Sequence, residues 1–414
     1  MAQTSKRGGR AARSRPALPV RQDTAPARRE PIEVAARSFQ IRLPDHAIYG
    51  GDANDPGTRL MADLLDVGAG SAVLIVGGGS GLLPVVAARL APKGSVVVFA
   101  DQVPQAEQVE EALRLNQVGN ARVVRAADLS SLEGEEFDAA LLGTTFEPSR
   151  ETLGIHARQA ALRLRPGGRL YLHGGKREGI ESAAGLVREI LGHVATLGYR
   201  KGHRVLVGER GESVNGTREA EPAQVDEVSV GGERLEIETR PGVFAGGALD
   251  EGTRLLVESL EVKPGDEALD LGCGSGIVGL YMARRATEGR AVLVDSDLGA
   301  IELSRRNAKR NSVENVEVLP SDGYSALAGR QFDLIASNPP FHVGRIQSPA
   351  IVQRFVADAP AYLKPGGRLY LVANAFLRYE SLFSEAFDRP VVVAQTTRYR
   401  VIRATLSTAG GGDI

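Results

Sequence analysis

The sequence predicts an α/β fold written twice: two tandem domains, each a mostly parallel sheet with helices packed on its faces. Three observations carry this. The chain repeats itself at a fixed spacing, since Gly57-Thr58-Arg59-Leu60 returns as Gly252-Thr253-Arg254-Leu255, and Gly77, Gly79 and Gly81 return as Gly272, Gly274 and Gly276. Phe137-Asp138 likewise returns as Phe332-Asp333, always 195 residues on, and the run from Arg165 to Leu172 returns at Lys364 to Leu371 with the offset grown to 199. One spacing held that long marks a tandem duplication. Each copy also alternates short apolar runs with helical stretches, the pattern of right-handed βαβ units. Finally, a glycine-rich loop follows an apolar strand in both copies, at the kind of strand end where open parallel sheets bind ligands.

The elements follow in order. Residues 1–29 hold Lys6, Arg7, Arg10, Arg13, Arg15, Arg21, Arg28 and Arg29 against the single Asp23. With few apolar residues to bury, 1–37 reads as a disordered basic tail. It lacks the apolar core of a secretory signal. The first domain is expected over 38–210, an acidic linker over 211–233, the second domain over 234–408 and a flexible end over 409–414. In the second domain, Glu267 to Leu271 is a strand, followed by a glycine loop and a helix reaching about Arg285. Ala291 to Val294 is the next strand and Leu298 to Asn311 a helix. Val316 to Leu319 and Phe332 to Ala336 are further strands, and Ser348 to Leu363 is a helix. A Pro365-Gly366-Gly367 turn leads to the strand Arg368 to Val372. Val391 to Gln395 and Tyr399 to Thr405 close the sheet.

Composition narrows the function classes. The 414 residues are 43% hydrophobic and 24% charged with a net charge of −1, and no apolar run is long enough to span a bilayer. A single cysteine, Cys273, excludes an internal disulfide and a cysteine metal cage, which fits the reducing cytoplasm. It sits in a glycine loop, which argues against chemistry needing an attacking thiolate.

Chemistry concentrates at two places in the second copy. At the end of its fourth strand stands Asn338-Pro339-Pro340-Phe341-His342. The prolines cannot donate to a sheet ladder and restrict the residues before them, so the strand stops at Asn338. An amide, two rigid carbonyls and an aromatic face are then held together. A flat ring with an exocyclic amine suits them: the ring stacks on Phe341, while Asn338 and the Pro339 carbonyl accept from the amine. A plain Pro-Pro turn is the simpler reading, and a turn histidine satisfied by backbone is the simpler reading of His342.

The second place is Asp270-Leu271-Gly272-Cys273-Gly274-Ser275-Gly276, after a strand and before a helix. Glycines allow a tight turn and close approach of backbone to a ligand. Residues 274–279 formally satisfy the dinucleotide fingerprint, with Asp295 about twenty residues on. Asp270, however, puts a carboxylate where an ammonium suits better than a pyrophosphate. Asp295 is placed for ribose hydroxyls and Asp322 for an adenine amine. Those demands together describe S-adenosyl-L-methionine. Strand-end solvation or helix capping is the alternative for either aspartate alone.

These residues resemble class I methyltransferases, and more narrowly the tandem RsmC-type ribosomal RNA guanine-N2 methyltransferases. The narrowing comes from Arg240-Pro241-Gly242-Val243-Phe244 with Leu249-Asp250-Glu251-Gly252-Thr253, and from Val393-Ala394-Gln395-Thr396-Thr397-Arg398-Tyr399. The resemblance implies two tandem Rossmann-like domains with seven-stranded, mostly parallel sheets. It implies S-adenosyl-L-methionine as cofactor, a guanosine N2 amine in ribosomal RNA, expected to be 16S rRNA of the small subunit, as substrate, and no metal in the chemistry. Asn338, Pro339 and Phe341 would be catalytic. Asp270, Gly272, Cys273, Gly274, Gly276, Asp295, Asp322 and Asn338 would bind cofactor. The competing readings are a large-subunit rRNA guanine or a protein glutamine as substrate, a nicotinamide oxidoreductase, and a non-catalytic RNA-binding assembly factor.

The first copy departs where the chemistry lies. Ile75 stands for Asp270, and Gly143-Thr144-Thr145 for Asn338-Pro339-Pro340, although the loop glycines survive and Asp101 could still meet a ribose. The first domain is therefore expected not to catalyse. Arg305, Arg306, Lys309 and Arg310 on one helix, with Arg398, Arg400 and Arg403 near the end, are candidates to grip RNA, against the simpler reading of a solvated charged face.

Overall fold

The computed structural model describes residues 31–44, 55–143, 149–215, 224–240, 249–339, 349–377 and 379–408. In chain order the first half comprises β1 (Ile32–Ala36), β2 (Phe39–Leu43), α1 (Pro56–Leu64), β3 (Ala72–Val76), α2 (Leu82–Leu90), β4 (Ser95–Ala100), α3 (Val103–Leu115), β5 (Ala121–Arg125), β6 (Phe137–Gly143), α4 (Arg150–Arg163), β7 (Leu164–Gly175), α5 (Ile180–Leu191), β8 (Ala195–Arg200) and β9 (His203–Glu209). The second half comprises β10 (Gln224–Val230), β11 (Glu233–Thr239), α6 (Glu251–Ser259), β12 (Glu267–Leu271), α7 (Ile277–Arg285), β13 (Arg290–Asp295), α8 (Leu298–Arg310), β14 (Val316–Pro320), β15 (Phe332–Ser337), α9 (Pro349–Tyr362), β16 (Leu363–Asn374), β17 (Val391–Gln395) and β18 (Tyr399–Thr405).

Each half forms a seven-stranded sheet, in the orders β5-β4-β3-β6-β7-β9-β8 and β14-β13-β12-β15-β16-β18-β17. All neighbours pair in parallel except around β9 and β18, which run antiparallel to both their partners. The order reverses between β12 and β15, so the carboxyl ends of those strands open a crevice. Helices cover both faces, as a parallel sheet requires. In the second half, Ala268, Leu334 and Tyr370 face one core while Leu269, Ile335 and Leu371 face the other.

The expected strands and helices fall within a residue or two of those observed, except that β16 begins at Leu363, five residues before the expected Arg368, and takes in Pro365-Gly366-Gly367, expected as a turn ahead of it, where its pairing with β15 shifts register. The boundaries of the units do not. The tail expected over 1–37 gives Ile32–Ala36 to a hairpin with β2, and the linker expected over 211–233 contains β10, which pairs with β11. The reason is alternation: Val34, Ala36, Ile41 and Leu43 turn one face of the first hairpin into its domain core, and Val228, Val230, Leu235 and Ile237 do the same in the second. The hairpins are themselves repeated. Asn116 on the end of α3 brackets Arg42 with bonds to its N–H and carbonyl (3.1 and 2.6 Å), and Asn311 at the end of α8 brackets Glu236 in the same way (2.9 and 2.7 Å). Each repeated unit thus begins with a hairpin.

The two units meet at equivalent residues. Gln102 and Asp297, 195 apart in number, form an antiparallel bridge. Val103 N–H donates to the Ser296 carbonyl and Leu298 N–H to the Asp101 carbonyl, both at 2.8 Å. This reciprocal clasp lies directly after β4 and β13, beside the crevice of each sheet.

Candidate active site

Asn338 follows β15 and is buried. Its amide nitrogen donates to Thr253 Oγ1 at 2.9 Å and to Asp250 Oδ1 at 3.3 Å. Asp250 is the N-cap of α6, accepting from Thr253 N–H at 3.0 Å, and the Thr253 hydroxyl donates to the other oxygen of Asp250. Proton directions in this network are fixed. An ionised carboxylate only accepts, so the threonine hydroxyl must donate to it and has lone pairs left for the amide. Asn338 is therefore held by its NH2 end, and its Oδ1 is buried without a hydrogen-bond partner among the described residues. A buried acceptor left unmade costs about 1–3 kcal/mol, a cost met only when a donor arrives.

Asp270 ends β12 and is 1% exposed. Its Oδ2 accepts from Gly279 N–H at 2.7 Å, and burial lifts the carboxyl to about pH 7 despite that bond. Gly272, Gly274 and Gly276 all take positive φ (81°, 54° and 87°), conformations that favour glycine. A side chain on Gly279 would run into Leu293 of β13, so the third glycine of the fingerprint serves close helix–strand packing. Most of the loop's N–H groups are already used: Gly272 and Cys273 donate to the Val294 carbonyl, Gly276 to the Cys273 carbonyl, and Gly274 to Asp295 Oδ2. A pyrophosphate would find few donors here. A cation finds Asp250, Asp270 and loop carbonyls instead.

One cavity brings together Asp250, Thr253, Asp270, Gly272, Cys273, Gly274 and Asn338, with Ile277 and Val278 on its apolar side. Gly276 caps α7 just behind it. Asp295 does not line that cavity: its carboxylate ties down the loop through Gly274 and accepts from Asp297 N–H at 3.0 Å. Asp322 is held by both arms of the Arg354 guanidinium, one bond at 3.0 Å. Pro339 is buried beside Asn338. Phe341, with Pro340 and His342, lies outside the described residues, as do Thr144, Thr145 and Phe146 of the first copy. The Cys273 thiol is pushed well above its ordinary pKa by burial and by the neighbouring Asp295 and Asp270, which leaves it no thiolate. Asp250, Thr253 and Arg354 were not among the sequence candidates. The repeated Gly-Thr-Arg-Leu, each preceded by a capping aspartate, was the signal for the first two.

The first unit has dismantled the pairing around Asp270 on both sides. Ile75 replaces the acceptor and Pro84, in place of Gly279, removes the donor. Ala100 stands at the strand position of Asp295. Asp101 belongs one residue further on, where its carbonyl serves the clasp.

Two of the RNA-grip clusters are largely spoken for. Arg306 and Arg310 pair with Glu238 at 3.3 Å, and Arg305 donates to the Val318 carbonyl at 2.8 Å. Arg400 is buried against Glu380 and Arg403 pairs with Glu261 at 3.0 Å, whereas Arg398 stays 71% exposed. These contacts favour the structural reading of those arginines.

A doubly wound sheet with this strand order, a loop suited to a cation, and a strand-end amide fixed as an acceptor define a class I methyltransferase. The comparisons with known proteins agree. The profile described as the methyltransferase small domain matches residues 41–207 and again 234–403, and the chain belongs to that family. It is similar to ribosomal RNA small subunit methyltransferase C of Pseudomonas entomophila (34% identity, 65% of this chain and 79% of the relative) and of Stutzerimonas stutzeri (37%, 65% and 79%). With the protein of that name from Hamiltonella defensa the alignment is 40% identical over 42% of this chain, and spans about half (51%) of the relative. Among solved structures, a Thermus thermophilus 16S rRNA N2 methyltransferase, RsmC, in complex with AdoMet and guanosine, matches with a TM-score of 0.75 and 26% identity over 91% of this chain and 98% of that one.

Proposed function

We propose that this chain transfers the methyl group of S-adenosyl-L-methionine to the exocyclic N2 amine of a guanosine in 16S ribosomal RNA, and that the second unit performs the chemistry. The observation that carries this reading is the Asn338 amide, anchored by its nitrogen with its oxygen buried and awaiting a donor. Relatives 34% and 37% identical to the chain bear the name of a small subunit rRNA methyltransferase.

The residues fit the cofactor. Asp270 offers a carboxylate to an ammonium, Gly272 to Gly276 let the chain pass close by, and Ile277 and Val278 supply apolar contact. Asp295 would reach a ribose by giving up part of its hold on the loop, and Asp322 would meet an adenine amine beside Arg354. When bound, the sulfonium supplies an electrophilic methyl. The chain's part is positioning. The guanine N2 lone pair is delocalised into the ring and nucleophilically weak. Accepting hydrogen bonds from its two N–H groups at Asn338 Oδ1 and the Pro339 carbonyl would favour a tetrahedral nitrogen with the lone pair aimed at the methyl. Phe341 stacks on the extruded base. Alignment of this kind is worth several kcal/mol of the barrier. The first unit has Gly143 where the second has the Asn338 acceptor, and it does not catalyse.

The test pairs a variant with a map. Asn338→Ala should abolish methyl transfer while S-adenosyl-L-methionine affinity stays within a few-fold. Ribosomal RNA from cells lacking the protein should lose one N2-methylguanosine in the small subunit. Activity surviving in Asn338→Ala would overturn the amine clamp, and an unchanged small-subunit map would overturn the substrate.

A further inference from the structure

The first unit carries a second polar constellation at the place where the second keeps its amide clamp. Asp55, the N-cap of α1, is the repeat of Asp250 and accepts from Thr58 N–H at 2.6 Å as Asp250 does from Thr253. Its other neighbours differ. With Gly143 in place of Asn338, the aspartate faces His173 on β7 and His203 on β9, two antiparallel neighbours in the sheet. Glu178, in the turn after β7, joins them, and ligand atoms of Asp55, Glu178 and His203 all lie within 4.8 Å of one another. At the corresponding register the second unit has Val372 for His173 and Tyr399 for His203. The cluster belongs to the first unit alone.

We infer that this cluster is a binding site for a divalent first-row transition metal, with zinc the best match, held by Asp55, His203 and Glu178, with His173 beside Asp55. Three observations support it, and none depends on the methyl-transfer reading. The imidazole nitrogens stand 3.9 Å (His173 Nδ1) and 3.8 Å (His203 Nδ1) from the two oxygens of Asp55. That is too far for a hydrogen bond. It is close to the roughly 3.4 Å separating donors around a tetrahedral ion at about 2.0–2.1 Å from each. Next, the donors surround a space. A Cβ placed on Gly57 would lie 2.9, 3.0 and 3.1 Å from His173 Nδ1, His203 Nδ1 and Asp55 Oδ2, and one on Gly175 would lie 3.2 Å from Glu178 Oε1. Glycine at 57 keeps that space open. Finally, the cluster is secluded: the side chains of His173, Asp55 and His203 are 0%, 11% and 15% exposed, and His203 Nδ1 is buried with no hydrogen-bond partner among the described residues. An imidazole and two carboxylates, with a second imidazole beside them, suit zinc better than calcium or magnesium, which take oxygen ligands. Two carboxylates would also neutralise the dication.

The metal would tie α1 to β7 and β9, a structural clip in the unit that has given up its chemistry. The test uses the untagged full-length chain after chelation. Titration with Zn2+ alone should show one equivalent bound with sub-micromolar affinity, and Co2+ in its place should give the intense visible bands of a four-coordinate site. His203→Gln and Glu178→Gln, both at the partly accessible side of the cluster, should each weaken Zn2+ binding by about tenfold or more. Zn2+ should raise the melting temperature of the parent chain and leave that of the variants nearly unmoved. Absence of stoichiometric Zn2+ uptake by the parent chain would overturn the site, as would uptake that both variants leave unchanged.

Discussion

The threonine that orients the Asn338 amide is as telling as the amide. Thr253 Oγ1 accepts a hydrogen bond from the Asn338 amide and its hydroxyl donates one to Asp250, so a methyl in place of the hydroxyl leaves the amide only its longer bond to Asp250. Thr253→Val should lower kcat by about tenfold to a hundredfold with little change in cofactor affinity, because alignment is lost and not the pocket. Steady-state kinetics against separate cofactor titration would check it. Equal losses in both would show that Thr253, which lines the cavity, serves cofactor binding and not alignment alone. At this scale the sequence was partly legible. Asn338 and Asp270 stood out because a polar residue at the end of an apolar strand is conspicuous. What could not be read was direction: nothing in the letters says that Asp270 would bond to Gly279 N–H, or that Arg354 would reach Asp322 across 32 positions. The first copy supplies a check on Asp270, having lost the acceptor at Ile75 and the donor at Pro84 together. Part of that carboxylate's work is therefore capping α7.

Among the elements, the N-terminus of α8 has the most to lose from pH. Asp297 caps it, accepting from Ala300 N–H at 3.1 Å, and sits in the clasp between the units. Loss of water around it, with Asp295 and Asp101 close by, lifts its carboxyl to about pH 7. The folded state thus holds a proton that the unfolded chain gives up near the usual carboxylate range. Its contribution to stability is complete in acid and is lost as pH rises through about 7. Asp297→Asn keeps the cap and removes the titration. Its melting temperature should exceed the parent's at pH 8, with the gap narrowing through pH 5 and closing only in the usual carboxylate range, as thermal denaturation across pH would reveal. A parent and variant separated by the same interval at both pH values would show that Asp297 titrates normally. The strands and helices themselves were legible from period and punctuation, as β12, β17 and β18 show with bounds matching the expectation. The hairpins were not. β10 and β11 alternate apolar and charged residues, and an acidic strand with one buried face reads as a linker until the surface it packs on is known.

For the whole molecule, charge and boundary act together. The eight cations of residues 1–29 contrast with a remainder that is net acidic, and Arg306 and Arg310 pair with Glu238, so the basic segment is the candidate for contact with an RNA backbone. Deleting residues 1–30 spares β1 and should weaken RNA binding while flattening its dependence on salt, by a slope of about 0.7 for each single-strand phosphate contact removed. Filter binding over a salt series reads this directly, and an unchanged slope would assign the tail no contact with phosphate. A cut at 37 would confuse the result, since it removes a strand of the first core.

The clasp of Gln102 on Asp297 also bears on where such a chain comes from. A contact in which each residue touches its own counterpart is what two identical subunits make across a dyad. The chain thus has the geometry of a homodimer whose subunits were joined end to end. Joining them removes the concentration dependence of assembly and, more consequentially, lifts the rule that a change in one subunit is a change in both. After fusion, one strand end could keep its asparagine while the other drifted to glycine and gathered histidines, with the seam between them left as the record of their former identity.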